Sequence, residues 1–144
     1  MEGKVVALTG GASGIALATA KILASRGAKI SIADVSEQNL ESAKDAIKAA
    51  SPNGEEVLTA KVDVRNIGEV EDWIKKTVDK LGKLDGAANL AGVAGNMTGT
   101  YTLANENEDN WDRVIGINLT VRSQGRLLCA NGTADKTFRE SCTP

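Results

Sequence analysis

The residues able to do chemistry in this chain stand one after another at the ends of apolar runs. The run Val5-Val6-Ala7-Leu8-Thr9 leads directly into Gly10-Gly11-Ala12-Ser13-Gly14 and then Ile15-Ala16. Glycine at a strand-to-helix turn lets the backbone approach a ligand closely. The free N–H groups and dipole at the start of the following helix attract an anion, typically a pyrophosphate. No Gly-Lys-Ser/Thr follows the glycines, so the stretch is not a P-loop. Taken alone, the turn is also compatible with a tight corner that holds no ligand. Asp34 narrows the choice. It ends the next apolar run about 20 residues further on, where a carboxylate hydrogen-bonds the ribose 2′-hydroxyl of NAD. The same charge repels a 2′-phosphate, and neither the turn nor Val35-Ser36 offers the Arg or Lys that NADP needs.

Further polar residues punctuate the chain in the same way. Asp63 and Val64 end a third run, where a carboxylate can accept from an adenine amine and a backbone N–H can donate to a ring nitrogen. A plain strand-end aspartate is the structural alternative. Asn89 sits inside the small, apolar stretch Ala87-Ala88-Asn89-Leu90-Ala91-Gly92. A buried amide there has to be hydrogen-bonded, either tying strands together or supporting a cofactor. Asn118 falls on the apolar side of a late helix, and its amide also needs a partner, which a backbone carbonyl or a water could supply if it has no functional role. The chain has no histidine, which excludes His-based triads, metal sites and acid–base chemistry. Its single phenol is Tyr101, four residues before Asn105, where a lysine would be wanted to lower its pKa; Tyr101 is read as a loop residue.

The elements that must position these groups alternate. Strands are expected over Val5–Thr9, 28–33, 56–62 and 84–90, and helices over 15–26, 37–50 (with Ser36 as N-cap) and 67–81. Asn66 and Glu69 resemble a capping box, and Gly82 stops the third helix. The stretch 93–108 reads as a loop. A further helix begins near Asp109 with Trp111, Val114, Ile115 and Leu119 on its apolar side. Such βαβ alternation predicts an α/β fold, a doubly wound parallel sheet with helices on both faces. Right-handed crossovers then place the ligand crevice at the carboxyl ends of the strands, where Asp34, Asp63 and Asn89 all fall.

The 144 residues fit one domain, and a formal charge of −2 argues against a nucleic-acid partner. No apolar run is long enough to span a bilayer, and Met1 runs almost directly into the first strand. The expectation is therefore a soluble, cytoplasmic protein with no membrane partner. Cys129 and Cys142 have neither metal nor redox spacing, so free thiols and no metal site are expected.

With Thr9-Gly10-Gly11-Ala12-Ser13-Gly14-Ile15-Ala16, Asp34, Asp63-Val64, Asn89-Leu90-Ala91-Gly92 and Asn118 in order, residues 1 to about 121 resemble the short-chain dehydrogenase/reductases. The resemblance implies a Rossmann-type domain with strand order 3-2-1-4-5-6-7 and NAD as cofactor. It assigns Thr9, Gly10, Ser13, Gly14 and Ile15 to the pyrophosphate, Asp34 to the adenosine ribose, and Asp63 with Val64 to the adenine. Asn89, Ala91 and Gly92 would lie beside the cofactor, and Asn118 would anchor a proton-relay water. Ala16 stands where the family has a third glycine, and Leu90 where it has a second asparagine. The family's catalytic Ser and Tyr-x-x-x-Lys have no counterpart in this sequence. From Arg122 onward the text loses periodicity and turns basic, so 122–144 is read as a divergent, irregular tail such as a premature stop, retained intron or frameshift would produce. The implied function is NAD-dependent oxidoreduction of a carbonyl or secondary alcohol. A longer form would act on the small-molecule substrate, and this chain would be catalytically incompetent. The alternatives are a non-catalytic NAD-binding module and a nonfunctional truncated product. An open fourth strand and mostly missing oligomerisation helices would leave the chain marginally stable or prone to aggregate.

Overall fold

The computed structural model describes residues 1–95 and 107–120. Tyr101, most of the expected 93–108 loop and the expected tail lie outside them. Four strands form one parallel sheet: β1 (Val5–Thr9), β2 (Lys29–Asp34), β3 (Val57–Lys61) and β4 (Gly86–Asn89), in the order β3-β2-β1-β4. Helices α1 (Gly14–Ser25), α2 (Glu37–Ala50) and α3 (Ile67–Leu81) alternate with them, and α4 (Glu108–Ile115) follows β4 and runs on into a π-helical turn, Gly116–Thr120. The expected elements are all present, with ends displaced by a residue or two, as helix and strand ends fray.

The pattern of β1 explains the layering. All five of its residues are buried, and successive side chains point to opposite faces. Val6 and Leu8 join a core with Ala20 and Ala24 of α1, Ile30 and Ile32 of β2, and Leu40, Ala43 and Ile47 of α2. Val5 and Ala7 join a second core with Trp73, Ile74 and Leu81 of α3. The first layer is tight because α1 buries only alanines, at 16, 20 and 24. The second is held by a polar ring beneath α3: Trp73 Nε1 donates to Ser31 Oγ at 2.9 Å, Ser31 and Thr77 hydroxyls meet at 2.8 Å, and Thr77 Oγ1 donates to the Trp73 carbonyl at 2.9 Å. Every polar group in that buried ring is satisfied.

Register follows from the pairing. Thr9 lies opposite Ala33 on one side and Asn89 on the other, and Asp34 opposite Lys61. The amino end of β1 is fastened by Asp85, whose N–H donates to the Val5 carbonyl while its Oδ2 accepts from the Val5 N–H, both at 2.9 Å. Lys4 and Lys83 each reach the same carboxylate at 2.9 Å. Burial pushes the Asp85 pKa up, but the Val5 N–H and the two lysines outweigh it and hold the carboxyl at about 2.

The last helix differs from expectation. Trp111 and Leu119 are 52% and 62% exposed instead of buried, and none of the α4 residues is buried. The α-helix ends at Ile115 and widens into the π-helical turn, which breaks the 3.6-residue spacing that put Leu119 on the apolar side; Trp111 stands within the regular helix on a face that no described element covers.

Candidate functional site at the carboxyl ends of the strands

Each strand hands its chain to the crevice differently. At the end of β1, Thr9 is buried, and its Oγ1 accepts from the N–H groups of Leu90 and Ala91, both at 3.1 Å. It thus ties the turn after β1 to the segment after β4 and does not itself line the crevice. Gly10 needs its positive φ of 68°, and a Cβ there would come within 2.9 Å of Ala91 Cα. Gly11 lies flat on β2: a Cβ would meet Ile32 Cβ at 2.4 Å. Gly14 also has a positive φ, 53°, but a Cβ there would meet nothing within 4 Å. Two glycines therefore serve packing, and the third faces open space.

The start of α1 is unusual among the described helices. Ser13 occupies the N-cap position in extended conformation, yet its hydroxyl caps nothing, and the first turn carries no acidic residue. By contrast Asn66 Oδ1 caps α3, accepting from Gly68 N at 3.1 Å and Glu69 N at 3.4 Å. Glu69 does not complete the expected box on Asn66 N. Its Oε2 takes the Asp63 N–H at 2.8 Å, while its Oε1 takes Asn66 Nδ2 at 2.9 Å. In α4, Asn107 Oδ1 accepts from Asp109 N at 2.8 Å, and Glu108 and Asp109 fill the first turn. The expected cap Ser36 makes no side-chain cap bond either, but Glu37 supplies an acid to α2. Only α1 presents its end to the crevice with neither device, and that arrangement suits an external anion.

Asp34 holds the shape of the second corner. Its Oδ2 accepts from Ala12 N at 3.2 Å and its Oδ1 from Ser36 N at 3.1 Å. At the third corner the Asp63 carboxylate is gripped by Arg65, through its main-chain N–H to Oδ1 at 3.0 Å, Nε to both oxygens, and Nη2 to Oδ2. The Arg65 guanidinium holds the Asp63 pKa below the usual carboxylate range, against a smaller opposing push from burial.

Beyond β4, Asn118 Oδ1 accepts from Val93 N and its Nδ2 donates to the Val93 carbonyl, both at 2.9 Å. A Cβ on Gly92 would approach Asn118 Oδ1 to 3.3 Å, so a glycine there makes room for that clamp. The amide that sequence reasoning left in need of a partner thus finds one in the backbone. Asn89 does not follow its expectation: its Oδ1 is buried without a hydrogen-bond partner among the described residues. β4 ends the described strand order, so no strand beyond it supplies a donor.

These corners enclose a crevice of about 740 Å³. Of the expected site residues, Gly10, Ser13, Gly14, Ile15, Asp34, Asp63, Val64, Ala91 and Gly92 line it, whereas Thr9, Asn89 and Asn118 stand behind it. Ile15 is 77% exposed at its rim. Sequence reasoning missed Arg65, Arg113 and Ile117, which also line it. Arg65 had a signal in its place directly after Asp63-Val64. Arg113 and Ile117 had none, since the register of α4 over the crevice depends on the π-helical turn.

Among the described residues no group of three or more His, Cys, Asp or Glu is placed to hold a metal, and no helix is long and apolar enough to cross a membrane.

The short chain dehydrogenase family model matches residues 4–127. The short-chain dehydrogenase/reductase aba4 of Botryotinia fuckeliana is 48% identical over 135 residues, covering 90% of this chain and 52% of that protein. Among solved structures, levodione reductase superposes with a TM-score of 0.75 at 38% identity, covering 87% of this chain and 47% of its own. NAD⁺-bound xylitol dehydrogenase superposes with a TM-score of 0.78 at 27% identity, covering 91% and 48%. The chain spans about half the length of the curated relatives it matches. On the strand order, the glycine corner and the family match together, the chain belongs to the short-chain dehydrogenases.

Proposed function

We propose that the crevice binds NAD, and that the chain is the cofactor-binding half of an oxidoreductase acting on a carbonyl or secondary alcohol. The observation that carries this reading is the uncapped, acid-free start of α1 facing the crevice beside the Asp34 carboxylate. The N–H groups around Ser13–Ile15 would hold the pyrophosphate, with Gly14 leaving the backbone bare where it approaches. Asp34, already oriented by Ala12 N and Ser36 N, has acceptor capacity left for the ribose 2′-hydroxyl and would repel a 2′-phosphate. Asp63 and the Val64 N–H would read the adenine. Bound NAD would supply the hydride acceptor.

The protein's own share of the chemistry is positional. Thr9 and Asn118 fix the segment Leu90–Val93 along one wall. Because the Asn118 amide is committed to Val93, Asn118 enters as a positioning residue more than as the holder of a relay water. No Tyr-x-x-x-Lys occurs in the sequence, and Tyr101 has Asn105 where the lysine would stand. The 144 residues therefore lack the tuned phenol that acid–base catalysis at neutral pH requires. We take this chain to bind cofactor without turning over substrate. A non-catalytic NAD-binding module would use the same crevice. The encoding DNA separates the two: a downstream frame reading Ser, then Tyr-x-x-x-Lys, marks a shortened enzyme.

Thermal unfolding with each dinucleotide tests the binding. NAD at about 100 times its dissociation constant should stabilise the chain by roughly 2.7 kcal/mol, NADP should do little, and Asp34→Asn should narrow the difference about tenfold. No shift with millimolar NAD in a cooperatively unfolding sample defeats the proposal.

A further inference from the structure

The junction between α2 and β3 lies at the amino ends of the strands, opposite the crevice, and its sequence is chemically reactive. Ser51-Pro52-Asn53-Gly54 follows α2, and among the described asparagines Asn53 alone precedes a glycine; the others precede Leu, Ile, Glu or Trp. Asn66 and Asn107 are committed to helix caps, and Asn118 is clamped to Val93. Asn53 is exposed, and its side chain makes no hydrogen bond among the described residues.

Gly54 is equally open. Its φ is +61°, and a Cβ there would meet nothing within 4 Å. Its N–H reaches the Ser51 carbonyl only at 3.3 Å, beyond the usual range for such a bond. The turn is otherwise tied by Ser51 Oγ, which accepts from Glu55 N at 3.1 Å. Asn39, also exposed, makes the contrast: the N–H that follows it is held inside α2, Leu40 N donating to the Ser36 carbonyl at 3.1 Å.

The Gly54 backbone nitrogen, on losing its proton, is a nucleophile, and the Asn53 amide carbon Cγ is the electrophile next to it in the chain. Attack forms the N–Cγ bond and a cyclic imide. The Cγ–Nδ2 bond breaks, and Nδ2 leaves as ammonia with protons from solvent. Water then adds to one imide carbonyl or the other, opening the ring to aspartate or, where the main chain now runs through Cγ, to isoaspartate. No oxidation or reduction is involved. A side chain in place of Gly54 would crowd the attacking nitrogen, and an exposed turn held by one long bond opens at little cost.

We propose that Asn53-Gly54 is a self-modification site, at which the folded chain converts the Asn53 amide into aspartate and isoaspartate. The change places a negative charge just past the carboxyl end of α2, where the helix dipole disfavours it. Isoaspartate also lengthens the main chain between Ser51 and the two N–H groups that Ser51 holds. The proposal does not rest on the NAD reading.

Tryptic mapping of the full 144-residue chain, aged in mildly alkaline buffer both folded and in urea, tests it. Cleavage after Lys48 and Lys61 releases residues 49–61, in which Asn53 is the one side-chain amide. In the folded chain this peptide should exchange NH₂ for OH at close to its rate in urea, and appear as two isomers of equal mass. Gly54→Ala should slow the gain severalfold, a result the urea arm reads even if that variant fails to fold. A peptide that converts in urea but stays intact in the folded chain overturns the inference, because the turn then protects the amide. So does a product containing aspartate without isoaspartate, which reports direct hydrolysis and no cyclic imide. An unchanged rate in Gly54→Ala also overturns it.

Discussion

The two ends of β1 are built on opposite plans. At the amino end the backbone and a carboxylate are committed to each other: Val5 exchanges two hydrogen bonds with Asp85, and Lys4 and Lys83 close on its carboxylate. At the carboxyl end the chain turns through glycines, and the helix that follows begins without a side-chain cap or an acid. The first end is finished by the protein itself and contributes to stability. The second leaves its N–H donors without a side-chain cap, free for the anion proposed above. A sheet strand can do both because its two ends are about 13 Å apart by strand geometry, too far for one to disturb the other.

The largest test of this contrast is Gly11→Ala. Its new methyl would collide with Ile32 at the base of the corner. We expect a loss of about 2–3 kcal/mol on chemical denaturation, typical of an overpacked site. A tolerated Gly11→Ala would show that the corner is not set by backbone contact.

Acid titration probes the other end. A carboxyl held at about 2 in the folded chain but near 3.9 when unfolded contributes stability that is complete above about pH 4. That contribution is lost as the pH falls from about 4 toward 2. With the side chain 18% exposed, it amounts to about 2 kcal/mol. Asp85→Asn should cost about that much at pH 7 and flatten the acid limb of the stability curve. An unchanged limb would place the acid sensitivity elsewhere.

The smallest effect sharpens the comparison most. Ser13→Ala should change unfolding free energy by less than about 0.5 kcal/mol, because the hydroxyl caps nothing. The parallel change Asn66→Ala should cost about 1 kcal/mol, because that side chain does cap its helix. Thermal shift with NAD should shrink for Ser13→Ala if the hydroxyl faces a phosphate. Equal stability losses in the two variants would erase the distinction drawn between the helix starts.

Much of this was legible before any coordinates. The two helical layers follow from the βαβ alternation and the crevice from where Asp34, Asp63 and the glycines stand, since strand ends in a parallel sheet share one edge, while the strand order is what the family resemblance implies. What could not be read were side-chain commitments across distant segments. Thr9 belongs to Leu90 and Ala91, and Asn118 to Val93, and short-range periodicity carries no information about such pairings. The exposure of Trp111 and Leu119 escaped for a different reason. Leu119 sits past Ile115, where the helix widens and a regular repeat fails, and Trp111 faces no described element, which a periodic pattern cannot reveal. Asn89 shows the limit of the satisfaction rule, which says that a buried amide needs a partner but not which element brings it.

The ring formed by Trp73, Ser31 and Thr77 has a consequence for how α3 can sit. Apolar side chains tolerate sliding, because one methyl group is much like another. A closed circuit of three polar side chains is not tolerant in that way. Moving α3 along the sheet by one turn, about 5.4 Å, would break both bonds to Ser31 and strand the Trp73 indole N–H and the Ser31 hydroxyl in an apolar layer. The ring is therefore a key with one keyhole. It fixes the depth at which α3 is seated, and with it the height at which Asn66, Glu69 and the whole third corner meet the crevice.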